Sequence, residues 1–386
     1  MKILIIRNCP SYMDVENNTY NIQEVGLAKA LIRKGNECAI LFWTDKKEKQ
    51  VRIKVDDAYL NVYYRRAVTV LKNAIYTQAG DLYEKYDVLQ SSEYNQLESI
   101  WLALKYPKKT IIYHGPYYSS FNKRYNLYCK IFDIFFLWIY KKKKTRFITK
   151  SRLASDYLIS KGLNVENVDS IGVGIDTEML TCPQNDVNSS IYNSLLNEKG
   201  LKLLYIGKIE PRRNIHMIIE IVKSVIKKIS DVKLYIIGTG EKEYVNKIKN
   251  YILESRVENA IVWENTMEQK YLGEIYKQAD IFLLPTEYEI FGMVLLEAMY
   301  YGKLVLTTSN GGAQTLIQDG ENGYILSNND LENWTRIIER YYYHKEEYQN
   351  MKYKAKQTVA ESFTWQVLAD KFIKAYGKLW ENEKNS

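Results

Sequence analysis

Short β-branched and aliphatic runs alternate along this chain with longer stretches whose apolar positions recur every three or four residues. In the first half the short runs are 2–7, 37–43, 86–92, 110–115, 146–151 and 168–174. In the second half they are 201–207, 232–238, 260–265, 280–286 and 303–309. The intervening stretches read as helices. In 21–35 Val25, Ala28, Leu31 and Ile32 share one face and Gly35 supplies the stop, and 215–229 follows the same pattern.

Strand–helix alternation predicts parallel strands joined by helical crossovers. Because it occurs twice, the expected α/β fold has two Rossmann-like domains, 1–178 and 190–362, facing across a cleft. The polar stretch 176–190 reads as the link, and the amphipathic segment 363–386 as a helix crossing back to the first domain. Ligands of such sheets lie outside the carboxyl ends of the strands, so the residues just after each strand carry the functional reading.

Composition narrows the class without choosing a partner. With 386 residues, 46% hydrophobic and 26% charged, the chain suits two ordinary globular domains. No run approaches the roughly 20 apolar residues that cross a bilayer. The opening MKILIIRN lacks the apolar core of a secretory signal, so a cytoplasmic location is expected. Cys9, Cys38, Cys129 and Cys182 form no C-x-x-C pair and read as reduced, mostly buried thiols. The net charge of +8 suits an anionic partner.

The most informative segment follows the run 280–286: Glu287, Tyr288, Glu289, Ile290, Phe291, Gly292, Met293, Val294, Leu295, Leu296, Glu297. Gly292 breaks the strand exit, and the apolar residues beyond it take helical spacing. A helix starting there directs the free N–H groups of Met293 and Val294, with the positive end of its dipole, toward a ligand, which suits a diphosphate. Glu297, a helical turn on, is placed to accept hydrogen bonds from ribose hydroxyls, and Glu289 to face a sugar. Two glutamates eight residues apart are weak evidence alone. The order strand, carboxylate, aromatic, glycine, apolar helix, carboxylate is what gives them weight.

That segment resembles the signature of retaining, family-4 type glycosyltransferases of the GT-B fold. The likeness extends to Gly207-Lys208-Ile209-Glu210-Pro211-Arg212-Arg213-Asn214, the Gly238-Thr239-Gly240 turn, the Gly311-Gly312 loop, the stretch from Asp319 to Gly323, and Gly174-Ile175-Asp176. The family usually has arginine at the position of Lys208 and lysine at that of Arg213, and both exchanges keep the charge. The resemblance implies that Gly207, Lys208, Arg213, Glu289, Phe291, Gly292, Met293, Val294 and Glu297 bind a nucleotide-diphosphate sugar. Lys208 and Arg213 would neutralise the departing diphosphate where its charge develops. No D-x-D sequence occurs, so neither a metal nor a resident cofactor is expected.

Of three histidines, His114 closes the run TIIYHG before Gly115 and Pro116. It matches the His-Gly that similar enzymes place near the donor sugar, which implies a role in binding and orienting that sugar rather than as a general base. The loop after the first strand departs from the family. Asn17, Asn18, Thr19, Tyr20 and Asn21 stand where a Gly-Gly pair is common, and Asn18, Thr19 and Asn21 become candidate acceptor or phosphate contacts.

Residues 131–146 join the aromatic run IFDIFFLWIY to KKKKTR. Two readings stand: a peripheral contact with an anionic membrane, or a buried crossover helix with a basic C-terminal end. The first implies a lipid-linked saccharide acceptor, as in capsule, exopolysaccharide, lipopolysaccharide or teichoic acid assembly, at the inner face of the cell membrane.

The leading expectation is transfer of a sugar from a nucleotide-diphosphate sugar to a saccharide acceptor with retention of configuration. One rival is a nonhydrolysing UDP-sugar 2-epimerase-like enzyme, which the poverty in histidine disfavours. Another is a non-catalytic glycosyltransferase-like partner subunit, disfavoured by the intact set Lys208, Arg213, Glu289 and Glu297. Dispersed basic residues give no nucleic-acid module.

Overall fold

The computed structural model describes residues 1–17, 22–180 and 189–381. It divides into two compact units, one of Met1–Gly174 with Thr364–Ser386 and one of Ile175–Phe363.

In the first unit the strands are β1 (Lys2–Ile6), β2 (Glu37–Trp43), β3 (Lys49–Val55), β4 (Ala58–Arg65), β5 (Val68–Val70), β6 (Asn73–Ile75), β7 (Val88–Ser92), β8 (Thr110–His114), β9 (Arg146–Thr149) and β10 (Val168–Ser170). Eight form one sheet in the order β10-β9-β8-β7-β1-β2-β4-β3, and β5 and β6 form a separate hairpin. Every pairing in the large sheet is parallel except β3 with β4. Ile3, Leu4, Ile5 and Ile6 are sealed from solvent, as expected of a parallel strand covered on both faces. Because β1 lies between β2 and β7, strand order reverses there, and the chain leaving β1 and β7 borders a crevice.

The expected helix over 21–35 forms as Gln23–Arg33. Gly35, at φ 80°, ends it, and the Asn36 amide returns to the Leu31 carbonyl. The C-terminal helix, Trp365–Glu381, belongs to this unit. A Cβ on Gly26 would sit 2.3 Å from Trp365 Nε1, and one on Gly174 2.5 Å from its ring, so both glycines exist to admit that indole. Trp365→Ala should therefore cost about 3–5 kcal/mol, read as a lower urea midpoint.

The segment around 131–146 fits neither expected reading fully. Helix Lys123–Lys143 is apolar on two sides. Cys129, Phe132, Leu137, Ile139 and Tyr140 face the core, while Leu127, Ile131, Ile134, Phe135 and Trp138 are exposed, Ile134 at 75%. Asp133, the one acidic residue of that run, pairs with Lys161 and accepts from the Tyr94 hydroxyl. Cys9 departs from the expected burial of the cysteines, being exposed, whereas Cys38 and Cys129 are buried and free.

The second unit carries β11 (Lys202–Ile206), β12 (Lys233–Ile237), β13 (Ile261–Glu264), β14 (Ile281–Leu284), β15 (Leu304–Thr307) and β16 (Tyr324–Ile325). They form a wholly parallel sheet in the order β13-β12-β11-β14-β15-β16. Strand order reverses at β11, between β12 and β14. Of the stretch read as a link, Thr177–Leu180 forms a 3-10 turn whose Leu180 is buried and accepts from the Tyr301 hydroxyl, while 181–188 lies outside the described residues.

Candidate active site

The second unit concentrates its polar groups at the reversal point, on the loops leaving β11 and β14. Gly207, at φ 151°, turns the chain off β11. A Cβ on Gly238 would meet the Gly207 carbonyl oxygen at 1.9 Å, and one on Gly240 the Ile209 oxygen at 1.9 Å. Only glycine lets the 238–240 turn lie this close beneath the loop. The loop then tightens through the 3-10 turn Pro211–Arg213 and enters helix Ile215–Val225 at Asn214, whose φ is 52°. The Arg212 carbonyl accepts from Thr286 Oγ1 at 3.1 Å and from the Glu287 amide at 2.9 Å, fastening this loop to the one after β14.

The fastening sets a charged cluster. Arg213 forms an ion pair with Glu289, and the same carboxylate lies 3.5 Å from Arg212 Nη1. Arg212 also donates to the Tyr288 carbonyl at 2.6 Å and pairs with Glu210 at 2.6 Å. Burial works against the charge on Arg213, but Glu289, with Tyr205 and Glu210, outweighs it and raises the guanidinium above its ordinary value. Arg213 is thus fixed in place and fully charged. Lys208 is exposed, its carbonyl held by the Tyr205 hydroxyl at 2.7 Å. The sequence singled out Lys208 and Arg213 and passed over Arg212, although the pair of adjacent arginines after Pro211 was its signal.

Beyond Glu289 the chain is squeezed from behind. A Cβ on Gly311 would lie 2.2 Å from the Ile290 oxygen and one on Gly312 1.6 Å from the Phe291 oxygen. Phe291 is buried against Phe363, so its ring anchors the loop in the unit's core. Gly292, at φ 78°, starts helix Met293–Tyr300, and Met293 and Val294 remain partly exposed with the first amides of that helix. Glu297 is buried and accepts from Gln269 Nε2 at 2.7 Å and from the Tyr276 hydroxyl at 2.9 Å. Burial pushes its carboxyl up to about 7 despite both bonds. Each carboxylate oxygen keeps a further lone pair for a hydroxyl donor. Gln269 and Tyr276, on helix Gln269–Gln278, carried no signal in the sequence, because nothing local links them to Glu297.

In the first unit His114 closes β8 and is wholly buried. Its Nδ1 lies 2.7 Å from Glu93 Oε2, which also accepts from the Gly115 amide at 3.0 Å. Glu93, directly after β7, was passed over in the sequence even though it stands at a strand exit. Asn18, Thr19 and Asn21, the candidate contacts after β1, lie outside the described residues.

Comparison with known proteins places this geometry. Residues 188–358 match the family of glycosyl transferases group 1. The chain is 25% identical over 256 residues to the capsular polysaccharide biosynthesis glycosyltransferase CapM of Staphylococcus aureus, covering 64% of this chain and 66% of that protein. It is 29% identical over 199 residues to the lipopolysaccharide 1,2-N-acetylglucosaminetransferase of Salmonella typhimurium, covering 49% and 51%. A glycogen synthase of Clostridium botulinum matches at 25% over 236 residues, covering 58% of this chain and 45% of that enzyme. The chain thus spans about half the length of the curated relatives it matches. Among solved structures, Anabaena HepE in complex with UDP superposes with a TM-score of 0.73 at 15% identity, covering 98% of this chain and 100% of that one. Sucrose-phosphate synthase from Thermosynechococcus elongatus superposes with a TM-score of 0.73 at 17% identity, covering 99% of each. The family match over the second unit and these full-length superpositions agree: residues 188–358 belong with the glycosyl transferases group 1, and the chain has the GT-B fold.

Proposed function

We propose that this chain transfers a glycosyl residue from a nucleotide-diphosphate sugar to a saccharide or lipid-linked saccharide, with retention of anomeric configuration, in assembly of a bacterial cell-surface polysaccharide. The observation that carries the reading is the Arg213–Glu289 pair, fixed where the loops after β11 and β14 meet, beside the start of helix Met293–Tyr300. Departure of a nucleoside diphosphate builds negative charge on its phosphate oxygens. Arg213, Lys208 and the Met293 and Val294 amides supply fixed positive charge for it without a metal. Glu289 is a poor nucleophile between two guanidiniums, and acts instead as an oriented acceptor for sugar hydroxyls. The leaving phosphate then takes the acceptor proton on the face it departs from, which retains configuration. CapM and the lipopolysaccharide transferase, by their names, act in capsule and lipopolysaccharide assembly, and this supports the proposed setting. Screening UDP-, GDP- and dTDP-sugars for transfer, with the product anomer read by proton NMR, tests the reading. An inverted product would refute retention.

Glu297 adds a pH signature to its proposed ribose contact. Only the ionised carboxylate accepts from both ribose hydroxyls, and its folded value of about 7 means that ionisation completes on going from pH 6 to pH 8. Donor affinity should therefore rise about tenfold over that interval, one pKa unit being worth about 1.4 kcal/mol. Glu297→Gln should flatten the profile in calorimetric titrations. An equal slope in both proteins would remove Glu297 from the ribose contact.

We also propose that helix Lys123–Lys143 rests on an anionic membrane at its cytoplasmic face. Leu127, Ile131, Ile134, Phe135 and Trp138 fall on one face at i, i+4, i+7, i+8 and i+11. At about 100° per residue, Lys123, Lys130 and Lys141 border that face on one side, and Arg124 and Lys142 close it at the two ends of the helix, all exposed. An apolar stripe fenced by cations suits a surface of acidic headgroups. Among the described residues no helix is long and apolar enough to cross a membrane. The protein should sediment with phosphatidylglycerol vesicles and not with phosphatidylcholine ones, and Phe135→Glu with Trp138→Glu should release it. A dimer that dissociates in the same double variant, without vesicle binding, would assign the face to a second copy instead.

A further inference from the structure

The first unit holds a second polar cluster, also at a strand-order reversal, which the donor chemistry leaves unused. Glu93 follows β7, and β7 and β2 flank β1. Its φ is 62°, a left-handed conformation uncommon for a residue with a Cβ. The backbone is held there from both sides. The Glu93 amide donates to the Tyr113 carbonyl at 3.1 Å, and its carbonyl accepts from Ser99 Oγ at 2.8 Å. Strained backbone kept in place by its surroundings gathers at functional sites.

The side chains divide their work unequally. A carboxylate accepts and does not donate, so the 2.7 Å contact requires His114 Nδ1 to carry the proton. With the Gly115 amide, that bond fixes Glu93 Oε2. Oε1 turns toward Lys150 Nζ, 3.6 Å away. The His114 ring cannot present itself outward. Tyr94 meets it edge-on at 5.1 Å, Tyr157 lies nearly parallel at 6.2 Å, and its Nε2 is buried without a hydrogen-bond partner among the described residues. Its side chain is 0% exposed, whereas those of Glu93 and Lys150 are 22% and 19% exposed. The outward groups are therefore a carboxylate oxygen and an ammonium 3.6 Å apart, an acceptor and a donor that sugar hydroxyls can meet.

We propose that Glu93, with Lys150, is the first unit's contact with the sugar substrate, and that His114 is a positioning residue that aims the Glu93 carboxylate. This rests on the transferase reading above, and it moves the contact expected of His114 onto a residue 21 positions earlier in the sequence. Burial alone would raise the Glu93 carboxyl, but Lys150, His114 and the Gly115 amide together hold it at about 2, so it meets a substrate as the anion at every physiological pH.

The test compares substitutions of Glu93 and His114 in the full chain after the wild-type donor has been identified. Glu93→Gln should lower kcat/KM at least a hundredfold, with a lowered thermal midpoint but a cooperative melt. His114→Asn, which keeps an N–H donor at the place of Nδ1, should stay within about tenfold of wild type, and His114→Ala should fall as far as Glu93→Gln. In nitrogen-15 NMR the wild-type His114 should show a protonated Nδ1, lost in Glu93→Ala. If Glu93→Gln unfolds, Glu93→Asp, which keeps the charge and withdraws it by one methylene, should show the same loss of turnover. Near-normal turnover by Glu93→Gln, or equal loss in His114→Asn and His114→Ala, would overturn the assignment while wild-type transfer left the transferase reading standing. Absence of transfer from any nucleotide sugar by the wild type would overturn both.

Discussion

Glu289→Gln is expected to lower kcat/KM for sugar transfer by about 10³, the upper range for removing one preorganised charged contact. Glutamine fills the same space but neutralises the acceptor that would bind sugar hydroxyls, and it leaves Arg213 beside a neutral amide. Breaking a pair this buried costs about 3 kcal/mol of stability, and Arg212 still has Glu210 as a partner. Native stabilities run to about 5–15 kcal/mol, so the fold survives with a lowered thermal midpoint. Lys208→Ala is the cleaner companion. Lys208 is exposed, so its loss should leave the midpoint in place while turnover falls about a hundredfold or more. Steady-state kinetics beside thermal melts separates the two effects. Near-normal turnover by both variants would remove these residues from the site.

Gly312→Ala is expected to be comparably severe by a different route. The new methyl would lie 1.6 Å from the Phe291 carbonyl oxygen, and backbone cannot rotate away as a side chain can. The 289–291 loop must shift by an ångström or more, which draws Glu289 off Arg213. We expect loss of measurable transfer and a stability loss above the roughly 1–3 kcal/mol typical of overpacking. Gly320→Ala is the internal control. Its φ is 77° with no atom near a built Cβ, so only the backbone preference of about 1–2 kcal/mol is at stake. Equal melts for the two variants would show that the Gly312 loop yields freely and that its contact does not set the site.

These contrasts also explain what was legible in the sequence. Strands such as β1 and β11 announce themselves because burial on both faces demands unbroken aliphatic runs. The pair β3 and β4 escaped notice for the opposite reason. In β3, at the sheet edge, half-buried and exposed positions alternate through Gln50, Arg52 and Lys54, and the hairpin turns at Asp56 with φ 50° rather than at an Asn-Gly. The 289–297 segment was readable because a strand exit, a helix start and both carboxylates fall within a few residues. Glu93 was not, since its meaning comes from His114 on the next strand, and adjacency across a sheet leaves no trace in spacing. Helix Lys123–Lys143 was legible as apolar, but an apolar residue carries no mark of which neighbour covers it.

The central claim is that the loops after β11 and β14 form a nucleotide-diphosphate site organised by Arg213. Calorimetric titration of the intact protein and of Arg213→Ala with UDP, GDP and dTDP addresses it without reference to any acceptor. One nucleotide should bind the wild-type protein, with affinity lost about a hundredfold or more in Arg213→Ala. No binding by any of the three, or binding that Arg213→Ala leaves unchanged, would contradict it.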